Sequence, residues 1–215
     1  MITFYIVRHG YSLANDANVF AGRTDVPLSE IGLRQAECVS DYILNNLKID
    51  SIYSSELQRA KQTISKVAIS LNLPIITNPN FNEIWGGKWE GLSFDEINKK
   101  FSKDIYVWRN DISNSICTDG ESFKELKKRT FSTLKMIAEN NLNENKNILI
   151  ATHAGVIRSL LSSIMNLSDE ECNKIGWVTN ASITTVKYKD ANFTIEKISE
   201  DNFLTSLKTQ LPKNI

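Results

Sequence analysis

The sequence predicts an α/β protein, a three-layer sandwich with a mostly parallel central sheet and helices on both faces. Three observations carry this. Short apolar, β-branched runs alternate along the chain with segments of helical periodicity, the pattern of strands joined by crossover helices. Three of those runs end abruptly in Arg8-His9-Gly10, Ser54-Ser55 and His153-Ala154-Gly155, as strands entering loops do. Finally, 215 residues at 41 % apolar composition are ample for one packed core. No repeat, linker or low-complexity tract divides the chain. Residues 1–215 therefore read as one domain, with a helical excursion at about 93–120.

Residues 2–7 are a buried strand ending at Arg8-His9-Gly10. A polar, Asn-rich loop follows over 11–28. Ser29 stands where an N-cap belongs, and Ala36, Val39, Tyr42, Ile43 and Leu47 then recur at helical spacing. Residues 50–55 read as a second strand. A helix follows over about 56–71, with Leu57, Ala60, Ile64, Val67, Ala68 and Leu71 as its inner face. A third strand fits 74–77, and the Gly- and Trp-rich run 81–92 is too irregular for a helix or a paired strand. Helical periodicity returns over 93–101 and 121–140, with a polar stretch between them that reads as exposed. Residues 147–152 form an apolar strand before His153, followed by a helix over about 156–165. Two strand-like runs, 182–188 and 193–198, close the core as a hairpin, and the polar C-terminus is expected to fray.

Lys plus Arg and Asp plus Glu number 25 each, so no overall field draws the chain to nucleic acid or an anionic membrane. No apolar stretch approaches the roughly 20 residues that span a bilayer, and residues 1–8 do not read as a signal peptide. Cys38, Cys117 and Cys172 are widely spaced and odd in number, which fits a reducing compartment and no disulfide framework. The expectation is a cytoplasmic protein.

In a parallel sheet, ligands bind at the carboxyl ends of the strands. The chain has only two histidines, His9 and His153, and each follows directly on an apolar strand with a glycine close behind. One such histidine is ordinarily structural; two in matching contexts point to a shared site. Metal binding is the competing reading, but no His/Asp/Glu cluster has ligand spacing, and Arg8 would repel a cation. An arginine beside a histidine suits an anion, because guanidinium groups grip phosphate oxygens through paired charged hydrogen bonds. A neutral imidazole there could attack phosphorus while cations neutralise the equatorial oxygens. Such chemistry needs a second arginine and an acid for the leaving oxygen.

Arg8-His9-Gly10 resembles the signature of the histidine phosphatase superfamily, also called phosphoglycerate mutase-like. Further matches follow in order: Asn15; Gly22 to Ser29 with Gly32 and Gln35-Ala36; Ser55 to Thr63; Asn82-Glu83 with Trp89 to Leu92; Gly120-Glu121-Ser122; and Thr152 to Arg158. The resemblance spans residues 2 to about 188. It implies that His9 is the nucleophile that becomes phosphorylated. Arg8, Arg59 and His153 would line the phosphate pocket, with Asn15 and backbone amides near Ala21, Gly22 and Ala154 assisting. Glu83 would act as acid and base, with Glu90, Glu96 and Asp95 as nearby alternatives. Glu121 reads as a helix-start residue, and Trp85 and Trp89 as packing or as the pocket entrance. No metal or organic cofactor is implied.

The same phosphoenzyme can pass its phosphoryl group to water or to a second hydroxyl. Phosphoglycerate mutases of this family typically follow the glutamate with Arg-His-Tyr, whereas this chain has Ile84-Trp85-Gly86. Residues 94–120 carry only dispersed cations (Lys99, Lys100, Lys103, Arg109). The resemblance therefore implies a phosphomonoesterase acting on a small phosphorylated metabolite. A cofactor-dependent mutase and a non-catalytic phosphate-binding module are the alternatives. The blocks at 22–28 and 87–91 are similar to those of α-ribazole phosphatases and broad phosphomonoesterases, while sugar phosphates and phosphoglycerates remain open as substrates. The sequence leaves the oligomeric state open, a homodimer included.

Overall fold

The computed structural model describes residues 1–142 and 144–211. Six strands form one mixed sheet: β1 (Ile2–Arg8), β2 (Ser51–Ser54), β3 (Ile75–Thr77), β4 (Lys146–Thr152), β5 (Ile183–Lys189) and β6 (Asn192–Glu200). Their order is β3-β2-β4-β1-β5-β6. The first four in that order run parallel, and β5 and β6 add an antiparallel edge. The three-layer α/β arrangement thus matches the sequence expectation.

Alternation along the two central strands sorts the core onto the two faces. Phe4 and Ile6 of β1, with Ile148 and Ile150 of β4, face one layer. Val7 of β1, with Leu149 and Ala151 of β4, faces the other. The second layer holds α2 (Glu30–Asn46) and α3 (Gln58–Leu71), which present Val39, Ile43, Ala60, Ile64, Val67 and Ala68. The first layer holds α6 (Phe123–Glu139) and α7 (Ala154–Ile164), with Leu126, Leu134, Ile137, Val156 and Leu160 inward. Two short helices, α1 (Leu13–Asp16) and α8 (Asp169–Cys172), lie in the connections.

Helix starts follow local chemistry. The Ser29 hydroxyl accepts from the Gly32 amide, and Ser93 and Ser122 form reciprocal capping boxes with Glu96 and Glu125. Helix α3 ends on Asn72 in the left-handed conformation, as helix C-termini favour.

Three expectations need correction. The helix expected over 93–101 is present as α4 (Phe94–Lys100), but the polar stretch that follows it to residue 120 is not an exposed excursion. It forms α5 (Ser102–Asn110), and Ile105, Trp108, Ile112 and Cys117 are buried with Ile97 of α4 in the first layer. In a nine-residue helix two apolar positions are enough to dock it, and the charges around them mask the stripe. Leu71 does not belong to the inner face of α3; it is exposed, because the helix ends there. The C-terminus also docks before the chain leaves the described residues at 211. A 3-10 turn at Asn202–Leu207 buries Leu204 fully and stacks Phe203 on Tyr42 at 4.5 Å. The fraying expected beyond that point falls on 212–215, outside the described residues.

If that turn is part of the core, Leu204→Ala should lower unfolding free energy by about 2–5 kcal/mol, the range for truncating a buried leucine. Urea unfolding checks it, and a loss under about 0.5 kcal/mol would show a turn merely resting on the surface.

Candidate active site

Strands β1, β2 and β4 end together. Arg8 pairs in register with Thr152, and Ser54 with Ala151, so the residues that follow each strand meet at one edge of the sheet. Arg8, His9, Ser55 and His153 are all buried there. The His9 and His153 rings lie 5.1 Å apart. Beside them opens a cleft of about 100 Å³. Its lining includes Arg8, His9, Asn15, Ala21, Gly22, Arg59, Glu83 and Ala154. Of the expected site residues only His153 stands behind that lining, against His9.

A backbone carbonyl fixes the His9 tautomer. His9 Nδ1 lies 2.7 Å from the Gly10 carbonyl, which can only accept, so Nδ1 carries the proton and Nε2 keeps its lone pair. His153 Nε2 lies 2.8 Å from Ser55 Oγ. That hydroxyl also accepts from the Leu57 amide. His153 Nδ1 is buried and has no protein partner among the described residues.

Both guanidinium groups are anchored by carbonyl oxygens. Arg8 Nη1 donates to the Val178 carbonyl at 2.6 Å, and Arg59 donates to the Thr24 and Gly22 carbonyls at 2.8 Å each. Their Nε groups are buried and lack a protein partner among the described residues. Burial pushes the Arg8 guanidinium down to about 10, with Glu83 opposing the shift and Arg59 adding to it. Both arginines stay charged at neutral pH. Asn15 accepts through Oδ1 from Ser12, and its Nδ2 has no protein partner among the described residues. Two buried cations and several unpartnered donors beside one cleft suit a tetrahedral oxyanion.

Glu83 enters on the segment after β3. Asn82 holds that segment by accepting from the Glu56 amide, and Thr152 Oγ1 donates to the Phe81 carbonyl. The Glu83 carboxylate accepts from the amides of Ile84 and Gly155, at 2.9 and 3.1 Å. A Cβ on Gly155 would stand 2.4 Å from Glu83 Oε1, so only glycine permits this approach at the start of α7. The alternative acids are committed elsewhere. Both oxygens of Glu90 are occupied by Arg23, Thr24 and Gly86, Glu96 caps α4, and Asp95 is exposed.

Those Glu90 bonds are part of a longer seam. Phe20 exchanges backbone bonds with Gly91 and Leu92, and Asp25 accepts from the Gln58 amide. The 20–25 rim is thereby joined to both the 86–92 turn and the helix that carries Arg59.

Several supports come from outside the expected site residues. The Ala181 amide and Asn180 Nδ2 donate to the His9 carbonyl, and the Ser182 carbonyl accepts from the Arg8 amide. Thr63 Oγ1 accepts from the Gly10 amide. Glu121 does not serve the dipole of α6. It binds Arg129 at 2.6 Å and accepts from the Trp85 amide, and Arg129 in turn donates to the Glu83 carbonyl. Trp85 is exposed and Trp89 buried, and neither lines the cleft; Trp108 and Trp177 do.

Burial, with Arg59 and Arg8 beside it, holds the His9 pKa well below 6.5, and burial with Arg59 and His9 does the same for His153. Folded, both imidazoles stay neutral; unfolded, both take up protons near pH 6.5. The stability present above that pH should therefore fall away below it. The slope should approach two protons, about 2.7 kcal/mol per pH unit. Urea midpoints between pH 6.5 and 5.5, in buffer free of oxyanions, check this. A flat profile, or one unaltered by His9→Asn, would mean that His9 is charged in the folded state.

Among the described residues no group of three His, Cys, Asp or Glu side chains could hold a metal ion, and no helix is long and apolar enough to cross a membrane. The model of the histidine phosphatase superfamily, branch 1, matches residues 4–201. A metal-independent phosphoserine phosphatase of Arabidopsis thaliana is 30 % identical over 206 residues, covering 94 % of this chain and 83 % of its own. A 2,3-bisphosphoglycerate-dependent phosphoglycerate mutase of Methanococcus vannielii is 29 % identical over 204 residues, covering 81 % of this chain and 86 % of its own. The solved α-ribazole phosphatase from Shigella flexneri superposes with a TM-score of 0.80 at 25 % identity, covering 92 % of this chain and 96 % of its own. A match over nearly the whole sheet, together with paired histidines and arginines at its strand ends, leaves one conclusion: this chain belongs to the histidine phosphatase superfamily, branch 1.

Proposed function

We propose that the chain is a phosphomonoesterase working through a phosphohistidine on His9. Nε2 of His9 attacks phosphorus, and the bond from phosphorus to the alcohol oxygen breaks. Glu83, in its protonated form, gives its proton to the departing alkoxide. Arg8, Arg59, His153 and Asn15, with amides of the 21–22 and 154 segments, hold the equatorial oxygens as charge redistributes. Water then attacks the phosphohistidine. The Glu83 carboxylate takes its proton, the bond from phosphorus to nitrogen breaks, and inorganic phosphate leaves with His9 restored. The charge neutralisation that a magnesium ion performs elsewhere falls here to two guanidinium groups. Buried neutral imidazoles support the scheme, since attack requires the lone pair that protonation would remove.

The observation that favours water over a second hydroxyl is the lining beyond the phosphate. Ile84 is buried in the wall of the cleft, Gly86 has no side chain, and Arg8 and Arg59 are the only Lys or Arg among the described lining residues. A mutase must retain a bisphosphorylated intermediate while it turns over, and that retention needs cations at the far end. The substrate is a small phosphorylated metabolite; the α-ribazole and phosphoserine phosphatases among the relatives mark the range.

Three expected outcomes follow from these roles and from the lining. His9→Ala should abolish turnover. Glu83→Gln should slow an alkyl phosphate at least a hundredfold more than p-nitrophenyl phosphate, whose leaving group departs without a proton. Equal losses on both substrates would remove the acid role from Glu83. With 3-phosphoglycerate, phosphate release should exceed formation of 2-phosphoglycerate, with or without added 2,3-bisphosphoglycerate. Isomerisation outrunning release by about a hundredfold, a barrier difference of about 2.7 kcal/mol, would make the chain a mutase.

A further inference from the structure

Glu121 takes no part in the chemistry described above, yet it is buried beside the segment that carries Glu83. That segment needs support. Residues 83–86 belong to no helix or strand, so no backbone ladder fixes the torsions that aim the Glu83 carboxylate. An ion pair supplies what the ladder does not. Arg129, on α6, donates through Nη1 to the Asn80 carbonyl at 2.7 Å and through Nη2 to the Glu83 carbonyl at 3.1 Å. Glu121 grips that guanidinium side-on, Oε1 accepting from Nε at 2.6 Å and Oε2 from Nη2 at 2.9 Å. The same Oε2 accepts from the Trp85 amide at 3.1 Å, and the Glu121 amide donates to the Trp85 carbonyl at 2.8 Å. Gly120 makes this approach possible, since a Cβ there would collide with the Trp85 carbonyl oxygen. From the rim, Arg23 adds longer contacts to the Glu83 carbonyl and to Glu121, each at 3.4 Å.

The pair therefore clamps the main chain at residues 80, 83 and 85, and neither Glu121 nor Arg129 lines the cleft. Its chemistry suits positioning better than stabilisation. Taking two charges out of water costs about as much as their attraction returns, so such a pair adds little net stability. Paired, charge-assisted N–H bonds do fix direction closely. Direction matters here, because a reacting group misplaced by about 1 Å loses on the order of a hundredfold in rate. We propose that Glu121, acting through Arg129, is the positioning residue for the Glu83 acid, on the phosphomonoesterase reading above. It sets the backbone at 83–85 so that the carboxylate lies against the Gly155 amide and faces the leaving oxygen.

The test measures kcat/KM for ethyl phosphate and for p-nitrophenyl phosphate. Their ratio reports leaving-group protonation and is unaffected by partial loss of folded enzyme. Glu121→Gln keeps the size of the side chain and removes its charge. It should lower the ethyl-to-nitrophenyl ratio by about tenfold or more, and Arg129→Gln should act in the same direction. In a Glu83→Gln background, Glu121→Gln should leave the ratio where Glu83→Gln alone has put it, because it acts through a group already removed. Equal losses on both esters, or a further fall of the ratio in the double variant, would make the pair a staple of the fold and overturn the proposal. Placement is read separately by amide hydrogen exchange. The Gly155 amide, which donates to the Glu83 carboxylate at 3.1 Å, should exchange about tenfold faster in Glu121→Gln, while the amides of residues 157–161 keep their protection. An unchanged Gly155 rate would overturn the proposal as well. If Glu83→Gln itself lowers both esters alike, or no ester is hydrolysed, the acid reading falls. Faster exchange at Gly155 would then still support placement of Glu83 by Glu121, and an unchanged rate would still overturn it.

Discussion

Two guanidinium groups are buried side by side at the end of the sheet, and among the described residues neither has a carboxylate in salt-bridge contact. That is the constraint around which the site is built. A buried charge without a partner is expensive, and here the carbonyl oxygens of Val178, Gly22 and Thr24 carry the load. Dipoles satisfy the N–H groups while leaving the positive charge uncancelled. A salt bridge would be the commoner solution, but it would neutralise the field that attracts an oxyanion. Burial, with the same field added to it, holds both imidazoles in the neutral form.

This arrangement explains why loops far apart in sequence converge. Carbonyls must be aimed at Arg8 and Arg59 from outside their own elements. The 178–182 segment serves Arg8 and His9 from the start of an antiparallel strand, and the 22–24 segment serves Arg59 from before α2. Because β5 runs opposite to its neighbour β1, its beginning lies beside the end of β1. The antiparallel edge of the sheet therefore has a direct part in the site, and the fold contributes more than a frame of parallel strands.

Much of this was legible in the sequence, for a physical reason. Buried central strands are continuous apolar runs, so the break from Val7 to Arg8-His9-Gly10, and from Ala151 to Thr152-His153, marks the strand ends without ambiguity. With only two histidines in the chain, the pair identified itself. What stayed hidden depends on main chain or on tertiary packing. The Val178 carbonyl and the Ala181 amide have no side-chain signature. Ser55 looks like any loop serine until His153 stands beside it. Trp108 and Trp177 are 69 positions apart, and nothing in either neighbourhood announces that they stack. The α5 helix was misread as exposed because Lys103, Asp104 and Arg109 outweigh two inward residues in so short a segment.

The seam at Glu90 has a consequence for how the cleft exchanges its contents. A lid needs a hinge and a stretch of chain whose bonds break together at small cost. The rim here offers neither, since Arg23 and Thr24 are stitched to Glu90, Phe20 to the 91–92 backbone, and Asp25 to the helix that carries Arg59. Opening it would dismantle the grip on Arg59 at the same moment. The doorway is therefore a standing one, through which, on the proposed phosphomonoesterase reading, the alcohol would leave and water enter by diffusion with no rearrangement of the rim.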